Sequence, residues 1–138
     1  MTRSRRELLV LLPALTAASG LAEEKTSLPS KAFRFEDLKP HSEGGNSFRS
    51  ILQGVTHSGC EIEVHETSLA AGAMPHPPHH HTHEEMFLIR EGTVEVTIAG
   101  RATRLGPGSA ALVASNDEHS IRNVGTANAQ YFVLALGS

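Results

Sequence analysis

His79-His80-His81-Thr82-His83-Glu84-Glu85-Met86-Phe87-Leu88-Ile89-Arg90-Glu91-Gly92 decides how this chain folds. It opens in histidines, continues as a short apolar run and stops at a glycine. His79, His81 and Glu85 stand at i, i+2 and i+6. On an extended strand alternate side chains leave the same face, so these three point together. Imidazole nitrogens and a carboxylate on one face form a donor set for a divalent metal ion. His83 shares that odd-numbered face, where it could replace one ligand or stand just outside as a proton carrier. His80 points the other way, toward solvent.

Working outward, the sequence breaks into short, evenly spaced runs. Residues 85–91 read as a strand turned by Gly92, and residues 93–98 alternate with Val94, Val96 and Ile98 on one face. Ala99-Gly100 makes the next turn, residues 101–105 run into Gly106-Pro107-Gly108, and residues 109–113 follow. Asn116-Asp117 turns the chain into residues 119–124, and residues 129–136 form the last strand. Upstream, residues 47–53 and 61–69 are strands, the second with Ile62 and Val64 opposite Glu61, Glu63 and His65. Pro75, Pro77 and Pro78 hold the approach to the histidines extended. Many short apolar runs punctuated by 12 Gly and 7 Pro indicate an all-β fold. Residues 86–89 and 129–136 are apolar on both faces, which calls for cover on both sides. A homodimer interface or a folded-back N-terminal segment would supply it.

At 138 residues the chain can bury a core without disulfides, and its single cysteine, Cys60, has no intramolecular partner. A formal net charge of −3 argues against nucleic-acid binding, which depends on clustered Lys and Arg. There is no Ser-His-Asp set, phosphate-cradling glycine loop or dinucleotide fingerprint. His41, His57 and His65 read as surface or strand histidines, and His76 as a rim residue in a proline-bound loop.

The N-terminus begins Met1-Thr2-Arg3-Ser4-Arg5-Arg6-Glu7-Leu8-Leu9 and runs apolar to about Ala18. A basic start, an apolar run too short to span a bilayer and small residues after it form a secretory signal. Ser4 to Leu9 resembles a bacterial twin-arginine export signal. Cleavage near Ala22 is expected, giving an exported protein, periplasmic or extracellular, with no membrane anchor. The expected organisation is a signal over 1–22, an extended arm over 23–46 with an edge strand at 32–35, and a β-domain over 47–138.

Residues 47–136 resemble the cupins, small jelly-roll barrels of the double-stranded β-helix type. The first cupin motif is carried by Gly72, His79, His81, Glu85 and Gly92, with six residues from Gly72 to His79 where five are usual. The second is carried by Gly108, His119 and Asn123. Its proline-x-glycine turn is changed, with Ala114 in place of the proline and Asn116 in place of the glycine; Asn tolerates the positive φ such a turn needs. The resemblance implies that His79, His81, Glu85 and His119 bind one divalent metal ion inside the barrel. Mn²⁺ or Fe²⁺ suits that set best, with Ni²⁺, Zn²⁺ and Cu²⁺ as alternatives. Phe87, Ile89, Ile121 and Asn123 would line the pocket.

A cupin scaffold does not name a reaction. The favoured expectation is an exported metalloenzyme acting on an oxygen-chelating small molecule, dioxygenase-like in chemistry. The alternatives are isomerase, decarboxylase or lyase chemistry at the same ion, and a non-catalytic module that binds a sugar or acid. Metal scavenging by the histidine run alone is a weaker fourth.

Overall fold

A computed structural model of the protein describes residues 26–137. The expected export signal and its cleavage point lie outside the described residues. Nine strands follow in order: β1 (His41–Glu43), β2 (Asn46–Val55), β3 (Glu61–Leu69), β4 (Glu84–Glu91), β5 (Val94–Ile98), β6 (Arg101–Leu105), β7 (Ala110–Val113), β8 (His119–Asn123) and β9 (Ala129–Leu136). They form two antiparallel sheets, one of six strands ordered β1-β2-β3-β9-β4-β7 and one of three ordered β6-β5-β8. This is the double-stranded β-helix architecture of a jelly roll.

The strands follow from the alternation. Along β9, Ala129, Tyr131, Val133 and Ala135 are buried while the residues between them are half-buried. Val94 and Val96 of β5 face the same interior, with Glu95 and Thr97 turned away. Ala99 and Gly100 both adopt positive φ, 47° and 78°, so a two-residue turn of the mirror-image kind joins β5 to β6. The core is built from Leu69, Phe87, Ile89, Val94, Val96, Val113, Ile121, Ala129, Tyr131 and Val133. Burying each larger member contributes about 1.5–3 kcal/mol. No residue of β1 or β2 belongs to this cluster.

Residues 32–35 form no ladder. The chain there is irregular and enters a single 3-10 turn at Phe35–Asp37; its donors find no sheet edge. The first strand is instead His41–Glu43, a hairpin partner of β2. An irregularity between Ser50 and Leu52 leaves Ile51 unopposed in the β2–β3 pairing. Across that pairing Phe48 stands opposite Thr67, on the inner face, and Arg49 opposite Glu66, on the outer. The outer face of the large sheet is partly covered by the irregular segment. Phe33, Phe35 and Leu38 line a shallow groove there together with Val64, Phe132 and Leu134. The Phe35 ring lies 4.5 Å from the Arg49 guanidinium and 4.9 Å from that of Arg90.

Candidate metal centre

Two elements deliver the donors. One is the loop before β4. Pro75, Pro77 and Pro78 remove three backbone donors, and a bend at Thr82 and His83 delays β4 until Glu84. His79, His81 and Glu85 therefore do not share one strand face. Only Glu85 belongs to β4, while the two histidines come from the loop. The second element is the start of β8. There His119 forms an isolated antiparallel bridge with His79. Each amide donates to the other's carbonyl, at 3.1 Å from His79 and 2.9 Å from His119. That pairing sets the two rings side by side, 4.6 Å between centroids.

The rings are oriented by backbone carbonyls. His79 Nδ1 donates to the Pro77 carbonyl at 3.1 Å, His81 Nδ1 to that of His83 at 2.9 Å, and His119 Nδ1 to that of Asp117 at 2.9 Å. A carbonyl only accepts, so Nδ1 carries the proton in each ring and Nε2 is left as the lone-pair donor. Metal-binding histidines are oriented in this way. One ring nitrogen from each of His79, His81 and His119 falls within 4.8 Å of the others. Glu85 Oε2 lies 2.9 Å from His119 Nε2 and 3.5 Å from His81 Nε2. The His81 Nε2 is buried and makes no hydrogen bond. The lone pairs of His81 Nε2, His119 Nε2 and the Glu85 carboxylate converge, an arrangement that a shared proton or a metal ion relieves. The donor set fits a divalent metal ion.

His83 is brought to the same place. Its ring stacks on that of His81 at 3.6 Å and 7°, and His81, His83 and Glu85 form a second close group of donors. Burial lowers its pKa, and the neighbouring His81 pushes the same way. His80 is exposed, as its position in the run suggested.

The donors open onto a cavity of about 210 Å³. Phe87, Ile121 and Val133 give it apolar wall, and His76 stands at its mouth. Ile89 and Asn123, expected in the pocket, do not line it. Ile89 lies one inward position farther along β4, in the core. The Asn123 amide donates to the carbonyls of Leu69 and Ala127 at 2.9 and 2.8 Å, and its oxygen accepts from Gly125 N–H at 2.9 Å. It ties the end of β8 to the end of β3.

His65, Thr67 and Tyr131 are among the lining residues not singled out from the sequence. The available signal was the odd-numbered alternation of β3 back from Leu69, which turns Thr67 and His65 inward. Ile62 and Val64, the more apolar set, face outward instead. Burial lowers the pKa of His65, opposed by Glu63, whose carboxylate stands 3.5 Å away. Burial pushes the Tyr131 phenol far above its ordinary value, although a hydrogen bond with Thr67 opposes this.

A family profile described as the cupin domain matches residues 65–135. No curated protein matched the sequence. Among solved structures, KdgF from Halomonas sp. is similar with a TM-score of 0.70 at 18% identity, over 80% of this chain and 96% of that one. An RmlC-like cupin from Shewanella frigidimarina has a TM-score of 0.64 at 20% identity, over 79% and 93%. A predicted oxalate decarboxylase from Thermotoga maritima has a TM-score of 0.64 at 16% identity, over 78% and 100%. At such identities the likeness is one of fold. The profile match spans the histidine loop, the β4 carboxylate and the β8 histidine together, and this chain belongs to the cupin family.

Proposed function

We propose that this cupin is a metalloenzyme of the dioxygenase type, with His79, His81, Glu85 and His119 holding one Mn²⁺ or Fe²⁺ ion. Its substrate is a small molecule that chelates through oxygen. What carries this is the 2.9 Å approach of His119 Nε2 to Glu85 Oε2 while His119 Nδ1 is already donating to a carbonyl. An ion held there by these residues would supply Lewis acidity toward a chelating substrate and O₂. Phe87, Ile121 and Val133 exclude water from the reacting end of the cavity. His65 and His83, half-buried and held toward the neutral form, are placed to take a proton from an incoming enol or catechol.

The same two imidazoles favour a second reading, in which the centre performs isomerase, decarboxylase or lyase chemistry without oxygen. Oxygen-electrode assays of the Fe²⁺- and Mn²⁺-loaded protein against catechols, enediols and β-diketones separate these readings. Substrate loss matched by oxygen uptake is expected. Loss without uptake moves the protein to the second reading. Tight ligands that are never consumed overturn both and leave a binding module.

A further inference from the structure

The two sheets are unequal, and the difference creates a space. The three strands β6-β5-β8 cover the core side of β9 and β4, but β1 and β2 contribute nothing to that core. Over the β1–β2–β3 end the inner face of the large sheet forms an open groove of about 660 Å³. His65, Thr67, Pro75 and His76 line both this groove and the metal-site cavity, so the two spaces adjoin. Phe48 lies in the groove, 38% exposed, opposite Thr67 and with its ring 4.5 Å from that of His65. Pro75 extends the apolar strip beside it.

Size and charge then restrict what fits. The inner cavity of about 210 Å³ is smaller than the roughly 300–1,000 Å³ of ordinary small-molecule sites, so a larger ligand must extend into the groove. Among the described residues no Lys or Arg lines either space, and the groove carries Glu43 and Glu63. Three neutral imidazoles and one carboxylate around a divalent ion leave one positive charge, which a singly charged chelator cancels. A second negative charge on the ligand would lie beside two carboxylates, with only the imidazoles of His41, His65 and His76 and no Lys or Arg among the described residues to pair it.

Resting on the metal-centre reading above, we propose that the substrate is a singly charged oxygen chelator with an uncharged aromatic or apolar tail. The head sits at the four donors and the tail lies along Phe48, whereas dicarboxylates and phosphorylated compounds are not accepted.

Hydroxamates test this, because one chelating head can carry different tails. Titration calorimetry of the Mn²⁺-loaded full-length protein would compare acetohydroxamate, benzohydroxamate and 4-carboxybenzohydroxamate. Benzohydroxamate is expected to bind about tenfold tighter than acetohydroxamate, the effect of burying roughly 55 Å² of ring. The added carboxylate should cancel that gain. Phe48→Ala should cut the ratio of the first two to below about threefold, with circular dichroism confirming the fold. Equal binding of acetohydroxamate and benzohydroxamate, or tighter binding of the carboxylated probe, would overturn the tail while leaving the metal centre standing. Failure to retain the ion, or to bind any of the three, would bring down both.

Discussion

The amide of Asn116 donates to the carbonyl of His81 across 2.8 Å. The residue that replaces the glycine of the second motif thus holds the ligand loop of the first. It does so with φ at 65°, a left-handed conformation that Asn adopts more readily than other residues with a Cβ. A β-branched side chain there is strained. Asn116→Val should cost about 1–3 kcal/mol and weaken metal retention, while Asn116→Gly should fold as well as the parent. Urea denaturation with parallel metal analysis checks both.

The centre should hold about one divalent ion per chain, as four donors on one ion require. His119→Ala should abolish it and His80→Ala should not, because His119 is buried at the centre and His80 is exposed. With the ion at 100 times its dissociation constant, binding adds about 2.7 kcal/mol, so chelation should lower the melting temperature by about 10 °C. Elemental analysis and differential scanning calorimetry read these outcomes. Several ions per chain, unaffected by His119→Ala, would show that the histidine run binds on its own.

Glu66 is fully buried, with Oε2 accepting from Arg49 at 3.1 Å and Oε1 without a hydrogen-bond partner. Removing the guanidinium strands a carboxylate away from water. Arg49→Ala should therefore destabilise by about 3–5 kcal/mol, more than the double variant Arg49→Met with Glu66→Leu. A double-mutant cycle in urea measures the difference. If the two variants are equally stable, Glu66 is not relying on Arg49.

His65 makes the metal-free protein sensitive to acid. Burial lowers its folded pKa, so below the unfolded value the unfolded chain binds more protons than the folded one. Its contribution is fully present above that unfolded value and is lost as pH falls toward the folded pKa. One such group gives a slope of at most about 1.4 kcal/mol per pH unit. His65→Gln should flatten the decline of stability between about pH 7 and 5.5, measured with EDTA present.

Much of this was legible in the sequence, and what was not has physical causes. β3, β6 and β9 have the bounds the sequence suggested, β6 because the Ala99-Gly100 and Gly106-Pro107-Gly108 turns bracket it. The donors came together although their expected backbone did not. His79 and His81 reach the centre from a loop fixed by prolines and by a bridge to His119, a contact remote in sequence that no local pattern encodes. His65 was missed because Ile62 and Val64, the aliphatic pair at the start of β3, face outward while His65 and Thr67 face the cavity. Periodicity says which residues share a face; only the packing says which face is inside. Asn123 was misplaced for a related reason. Its spacing is that of a site residue, but its side-chain hydrogen bonds are spent on the end of β3 and the turn after β8.

β9 lies between β3 and β4 in the large sheet, yet the ribosome makes it after every strand it joins. Until its eight residues emerge, β1-β2-β3 and β4-β7 are separate fragments with bare inner edges. Folding must therefore keep two adhesive edges apart until β9 docks between them. A stall or premature stop before Ala129 would release a species prone to pair with its own copies, rather than a slightly shortened barrel.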